Sequence, residues 1–210
     1  MLYKIIINQF ETITAIEIQE DIMEYKIRPL VPELAAVFTD YISSLDFGHE
    51  PHWSTCFCRF YHTDCSSEQW QNRTGEENKA EAIEQIEAGN MKGYLAFHGS
   101  KCIGWCNAND IHQYIRLEGD LKHVVKDQKV GCAICFVIHP EYRRQGVARQ
   151  LLKQAVEDFK EQNFDAVLAV PVDNKEFPER LYRGTLNMYS ELGFTEVERH
   201  GNVSVMYLKF

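Results

Sequence analysis

The stretch Phe136-Val-Ile-His-Pro-Glu-Tyr-Arg-Arg-Gln-Gly-Val-Ala148 carries the chain from a buried strand through a glycine-containing turn straight into a helix. Upstream, Val130 to Ile138 is a nearly continuous apolar run, as expected of a strand covered on both faces. Downstream, Leu151, Leu152, Ala155, Val156 and Phe159 recur at helical spacing, which predicts a long amphipathic helix from Ala148. A strand-turn-helix of this kind aims backbone N–H groups and the positive helix end at one point, which suits an anionic pyrophosphate. Gly146 lets the backbone approach such a ligand closely, Ala148 keeps the helix start narrow, and Arg143 and Arg144 add positive charge. The patterns Gly-x-x-x-x-Gly-Lys-Ser/Thr and Gly-x-Gly-x-x-Gly are both absent, so neither ATP nor NAD is the favoured ligand.

Working outward, Tyr25 and Ile27 alternate in a first strand, which leaves residues 1–24 as an N-terminal extension to a domain spanning 25–210. Met23, just before that strand, is a candidate start of the chain in the cell. After Pro32, residues Leu34, Ala35, Phe38, Tyr41, Ile42 and Leu45 mark a first amphipathic helix. Residues 46 to 73 read as a long, aromatic-rich irregular segment, a kind that is usually functional or disordered, and the aromatic content favours a packed functional one. Thr74-Gly-Glu-Glu77 has the capping-box pattern before a second helix that ends at Gly89-Asn90. Strands from Gly93 to His98 and Lys101 to Cys106 flank Gly99-Ser100, a link suited to a type II′ hairpin. Residues 107 to 129 read as a loop region with room for a short helix. After the central turn come a strand from Asp165 to Val170, a helix over 181–192 ending at Gly193, and a closing hairpin around Gly201-Asn202. The predicted order is β-α-α-β-β-β-α-β-α-β-β, without internal repeats.

The chain has 210 residues, 45 % hydrophobic and 12 % aromatic, enough to bury one substantial core. A formal charge of −9 argues against nucleic-acid binding, which needs clustered Lys and Arg to displace counterions, and leaves room for a cationic acceptor. The apolar run Ile5-Ile6-Ile7 is far too short to span a membrane or serve as a secretory signal, so a soluble, cytoplasmic protein without a membrane partner is expected. Seven scattered cysteines fit reduced thiols better than a disulfide framework. Cys56, Cys58, His62 and Cys65 lie close in sequence, but their spacing matches no usual zinc pattern, so no metal site is assigned and ordinary packing is preferred. Cys102 and Cys106 are about 13 Å apart along a strand. Cys132 and Cys135, at an odd spacing, are expected to point to opposite faces of theirs. Both pairs read as structural.

Arg143-Arg-Gln-Gly146-Val-Ala148 resembles the acetyl-CoA signature of the GNAT superfamily of N-acetyltransferases, and Ile138-His-Pro-Glu-Tyr resembles its usual lead-in. The order of predicted elements is similar to that superfamily's from about residue 25 onward. The resemblance implies an α/β (α+β) GNAT fold, with a mixed, mostly antiparallel central sheet and flanking helices. It also implies acetyl-CoA as cosubstrate, with Arg143, Arg144, Gln145, Gly146, Val147 and Ala148 at the pyrophosphate. The backbone of Phe136 and Ile138 would pair with the pantetheine amides like an added strand. A second match, Leu186-Asn-Met-Tyr189-Ser-Glu-Leu-Gly193-Phe194, is similar to the family's late helix and implies that Tyr189 protonates the departing thiolate. The alternative is that Tyr189 is simply a core aromatic.

Two departures stand out. Where histone-acetylating members carry a glutamate base there is Cys132, and where many members carry Asn seven residues before the tyrosine there is Tyr182. The general base is left open among Glu118, Asp110, His112 and water. By the resemblance, the acceptor enters over the early helices, lined by Trp53 to Tyr61 and by 104–109, with Phe57, Tyr61, Trp105 and Asn107 as candidate contacts. The function implied is direct acetyl transfer in a ternary complex to a primary amine of a small molecule; a homodimer is compatible with this. The rival readings are a non-catalytic CoA-binding sensor or interaction protein on the same fold, and a metal-binding module on the Cys56 to Cys65 loop.

Overall fold

Gly99-Ser100 turns the chain between β2 (Gly93–His98) and β3 (Lys101–Asp110). Of the pair only Gly99 takes a left-handed φ, +59°, as a type II′ turn requires. On one side β1 (Lys26–Pro29) pairs antiparallel with β2; on the other, β4 (Val130–Ile138) pairs antiparallel with β3. β5 (Ala166–Ala169) runs parallel to β4, and the hairpin of β6 (Thr195–His200) and β7 (Val203–Lys209) completes the sheet through β7. The strand order is β1-β2-β3-β4-β5-β7-β6, with one parallel contact, the mixed and mostly antiparallel sheet expected. This computed structural model describes residues 25–48, 50–173 and 181–210. The N-terminal extension and the candidate start at Met23 lie outside them.

One face of the sheet is covered by α5 (Val147–Glu161), whose Val147, Leu151, Leu152, Ala155 and Phe159 are buried against Ala96, Ile103, Ala133 and Val167. Each of these side chains other than Ala155 contributes roughly 1.5–3 kcal/mol on burial. The other face carries α1 (Ala35–Ser43) and α3 (Gly75–Glu87) over Leu95 and Trp105, and α4 (Ile115–Val125) over Val130, Cys132 and Leu168. The Thr74–Glu77 capping box forms as read, Glu77 N–H donating to Thr74 Oγ1 at 3.2 Å and Thr74 N–H to Glu77 Oε2 at 2.7 Å. Its helix buries Asn78, Ala82 and Ile86, while Ala80 stays exposed.

Four readings from sequence are corrected. The aromatic segment contains a helix, α2 (Ser67–Asn72), started by its own capping box between Ser66 and Gln69. Residues 107–129, read as a loop region with room for a short helix, hold the 11-residue helix α4, with Leu121 and Val125 buried at i, i+4 spacing. β3 runs on to Asp110 because Asn107 and Asn109, poor strand formers in general, are buried with hydrogen-bond partners: Tyr114 Oη donates to Asn107 (2.9 Å) and Asn109 donates to the Asn90 carbonyl (2.7 Å). The late helix shrinks to α6 (Leu186–Ser190), since Gly184 takes φ +81° and Thr185 Oγ1 caps the helix by accepting from Met188 N–H at 3.2 Å.

The register of β4 also overturns the reading of Cys132 and Cys135. Asn107 sits opposite Cys135 and Ala108 opposite Ala133, so Ile134 is an extra residue, a bulge. A bulge shifts the alternation by one. Cys132, Ile134, Cys135 and Val137 therefore all pack on the face of α1, α3 and α4, while Ala133, Phe136 and Ile138 face α5.

Beneath this bulge, Asn107 links Tyr114 to His62. The His62 Nδ1–H donates to the Gln113 carbonyl (2.8 Å) and Nε2 accepts from Asn107 (3.0 Å), an arrangement that only the neutral ring satisfies. Burial first, and the Arg59 cation second, push its pKa down to about 4. With an unfolded value near 6.5, the folded state refuses a proton that the unfolded chain accepts. This stability is complete above about pH 6.5 and is lost as pH falls toward 4, by on the order of 3 kcal/mol. Urea unfolding between pH 4 and 7 is expected to show this loss, and His62→Gln to flatten it; an identical pH dependence in the variant would contradict the assignment.

Candidate active site

After β4, Pro140–Tyr142 form a single 3₁₀ turn and the chain enters α5 through Arg144 (φ +61°) and Gly146 (φ +81°). A Cβ placed on Gly146 would meet no atom within 4 Å, so this glycine faces open space rather than packed protein. The space is a cleft of about 330 Å³ with Ile138, Arg143, Arg144, Gly146, Val147 and Ala148 on one side and Thr185, Asn187 and Met188 on the other. The hydrogen bond from Gln150 N–H to the Gly146 carbonyl (3.0 Å) opens the helical ladder, which leaves the N–H groups of its first residues for a ligand. Three guanidinium groups, Arg143, Arg144 and Arg149, line the cleft, and Arg149 pairs across it with Glu191. The shape and donors fit a phosphate-bearing ligand.

Of the residues read as cofactor-binding, Gln145 and Phe136 do not line this cleft. The exposed Gln145 donates to the Glu141 carbonyl (2.6 Å) and accepts from Tyr25 Oη (2.9 Å), so it fastens the turn to the residue just before β1. The side chain of Phe136 is buried in the core, and its N–H donates to the Tyr182 carbonyl at 2.6 Å. The Ile138 carbonyl accepts from Arg143 Nε at 3.1 Å.

That contact of Phe136 marks where the sheet opens. β4 pairs with β5 only over Val130, Cys132 and the residue between them, then runs on to Ile138 with its edge facing the returning segment 181–185. Tyr189 points into this gap: its hydroxyl donates to the Arg183 carbonyl at 2.7 Å and lies 3.4 Å from the Ala133 carbonyl. Gly184 makes the fit, since a Cβ there would come within 2.5 Å of Met188 Cε and 3.0 Å of the Tyr189 ring. Burial, reinforced by the neighbouring thiols Cys106, Cys132 and Cys135 and only opposed by Arg183, holds the Tyr189 phenol well above its ordinary pKa. It stays protonated at neutral pH. The Cys132 thiol, at the place of the family's glutamate, is fully buried and also pushed upward, so it does not act as a base.

On the other side of β4 lies a second cavity, of about 320 Å³, bordered by Ile42 of α1 and by Trp70 and Gln71 of α2. Its wall is aromatic: Trp53, Phe57, Phe60, Tyr61, Trp70 and Tyr182, with Cys135 and Val137 of β4 at the back and His52 on the wall. The Nδ1 of His52 lies 3.4 Å from Glu50. Phe57 and Cys58 both take left-handed φ values, +42° and +55°, a strained pair that persists only because its surroundings fix it. Fixing comes from a polar hub that sequence alone did not show: Arg59 donates to Glu81 at 2.8 Å, Arg73 pairs with the same carboxylate, and Asn78 donates to the Thr55 carbonyl at 2.9 Å. Burial raises the Glu81 pKa, but the two guanidinium groups outweigh it and hold the carboxyl below its usual range.

Of the candidate acceptor contacts, Phe57 and Tyr61 are on this wall. Trp105 and Asn107 are a layer deeper, Trp105 donating its indole N–H to Cys58 Sγ (3.2 Å) and Asn107 held by His62 and Tyr114. The soft ligands of the aromatic loop separate: Cys58 meets Cys135 at 3.6 Å, Cys65 accepts from Arg116, and His62 joins Asn107. Among the described residues no group of three His, Cys, Asp or Glu is placed to hold a metal ion. Asp110 caps the turn at His112, and His112 faces Glu118 at 3.5 Å; none of the three lines either cavity. No described helix is long and apolar enough to cross a membrane.

The model of the acetyltransferase (GNAT) family matches residues 57–194, more than half of the chain. Solved structures of similar fold include a GNAT acetyltransferase from Listeria monocytogenes (TM-score 0.57, 11 % identity, covering 90 % of this chain and 96 % of that one). Another is the polyamine N-acetyltransferase of Drosophila melanogaster (TM-score 0.55, 9 % identity, 89 % and 100 %). A third is the PaiA N-acetyltransferase of Thermoplasma acidophilum, solved in complex with coenzyme A (TM-score 0.53, 16 % identity, 90 % and 100 %). At these identities the likeness is one of fold. No curated protein matches the chain. The family match, carried by a span that includes the phosphate-type turn and Tyr189, places the chain in the GNAT acetyltransferase family, as an acyltransferase.

Proposed function

We propose that the chain moves an acetyl group from acetyl-CoA directly onto the primary amine of a small molecule, without a covalent enzyme intermediate. The observation that carries this reading is the placement of the two cavities: the cationic cleft at Ile138 and the aromatic cavity at Cys135 and Val137 flank the end of β4, and the buried Tyr189 lies beside the same strand, its hydroxyl 3.4 Å from the Ala133 carbonyl. Arg143, Arg144 and the N–H groups at the start of α5 hold the pyrophosphate. As the amine nitrogen bonds to the carbonyl carbon and the carbon–sulfur bond breaks, Tyr189 gives its proton to the thiolate, exchanging its bond to the Arg183 carbonyl for one to sulfur. His52, beside Glu50 on the cavity wall and largely exposed, offers the amine's proton a way to solvent. Free thiols at all seven cysteines accord with a cytoplasmic setting.

Initial rates with both substrates varied test this directly. Intersecting double-reciprocal lines and no acetyl on Cys135 by mass spectrometry are expected; parallel lines with acetylated Cys135 would overturn direct transfer.

A further inference from the structure

The aromatic cavity has an uneven charge environment. Among the described residues its wall contains no carboxylate and no basic side chain other than His52. The remaining titratable groups facing it are thiols and phenols: Cys56, Cys58, Cys135, Tyr61 and Tyr182. Burial pushes the Cys56 thiol up to about 12 and the Tyr61 phenol well above its ordinary value, and the bond to Cys135, followed by burial, does the same for Cys58, so none of these three carries negative charge at neutral pH. Among the described residues the charges behind the rings are mainly positive, the carboxylates there being Glu81, held by Arg59 and Arg73, and Glu50, 3.4 Å from His52 Nδ1. The Arg116 guanidinium lies 4.5 Å from the Phe60 ring centre, Arg73 lies 5.9 Å from that of Trp70, and Arg183 lies 5.5 and 5.6 Å from those of Tyr61 and Tyr182. Among the described residues Arg73 is paired with Glu81, Arg116 donates to the carbonyl and sulfur of Cys65, and Arg183 Nε is buried with no acceptor.

From this we infer that the acceptor is a monoamine with an apolar, aromatic body, and that the cavity takes it as the neutral amine and excludes polyamines. The inference rests on the acetyltransferase reading and goes beyond it by naming the substrate class and the source of the free lone pair. An alkylammonium moved into an apolar, cation-flanked cavity loses hydration and meets like charge, and both effects favour the uncharged form. The missing strand carboxylate is then no defect, because the pocket rather than a base exposes the lone pair. An aromatic body gains the apolar contact of seven Phe, Tyr and Trp side chains, Phe47 standing beside the six on the wall. A second ammonium meets no carboxylate among the described lining residues and is opposed by the arginines behind the rings.

Calorimetric titration without acetyl-CoA tests this independently of turnover, with 2-phenylethylamine and 1,4-diaminobutane as probes in two buffers of different ionisation enthalpy. The aromatic amine is expected to bind at least about tenfold more tightly than the diamine and to release close to one proton to the buffer. Gln71→Glu, which puts a carboxylate on the exposed part of the wall, is expected to narrow that preference. Equal or tighter binding of the diamine, no binding of the aromatic amine, or binding without proton release would each overturn the inference. Binding as expected with no acetyl transfer would instead refute the acetyltransferase reading and leave the description of the cavity standing.

Discussion

Gly146→Trp is expected to weaken acetyl-CoA binding by about 100-fold or more, about 2.7 kcal/mol, with the domain still folded. The size follows from where the side chain must go. A Cβ at this position points into open space in the cleft, so an indole there takes the volume a pyrophosphate needs and covers the N–H groups that would hold it. Nothing in the core is displaced. A left-handed φ of +81° costs a non-glycine residue roughly 1–2 kcal/mol, so the variant melts at somewhat lower temperature but cooperatively. Gly146→Ala separates strain from obstruction, since it carries the same backbone cost without filling the cleft. Titration calorimetry beside thermal melting reads both, and unchanged affinity in the tryptophan variant would move the CoA site away from this turn.

Tyr189→Phe is expected to lower kcat by about 10²- to 10⁴-fold with acetyl-CoA affinity nearly unchanged, the range for loss of a positioned general acid. The same hydroxyl also has a structural task, since it satisfies the Arg183 carbonyl at 2.7 Å in a fully buried setting. Leaving that carbonyl unpaired costs about 1–3 kcal/mol of stability. The two roles separate in the readout: a purely structural tyrosine would loosen segment 181–185 and weaken cosubstrate binding, whereas a proton donor changes kcat alone. A rate within about twofold of the parent would remove the acid assignment.

What the sequence disclosed and what it concealed follow from the range of the interactions involved. The turn at Arg143 to Ala148, the face of α5, the Thr74 capping box and the Gly99-Ser100 hairpin depend on residues a few positions apart, and each is visible as a local pattern. The bulge at Ile134 is set by pairing with β3, across 27 positions from Asn107 to Ile134, and nothing local announces it. Yet it is what turns Cys135 toward the aromatic cavity. Trp105 and Asn107 sit in the segment read as lining the acceptor, but partners distant in sequence, Cys58 and His62, cover them. Arg183 and His52 were passed over for a similar reason: each is an ordinary charged or polar residue in a loop until Tyr61 and Tyr182, or Glu50 and the cavity, surround it. The α2 cap was legible, since Ser66 to Gln69 has the same form as Thr74 to Glu77, but the surrounding aromatics obscured it.

The central claim is that this chain carries acetyl from a thioester in the cationic cleft to an amine in the aromatic cavity. Its most direct test is a product count: the purified protein is mixed with acetyl-CoA and 2-phenylethylamine, and free CoA thiol and N-acetylated amine are quantified over time. The account predicts that both rise together in a one-to-one ratio, at a rate dependent on amine concentration. No thiol release, or release without N-acetylated product, would contradict it.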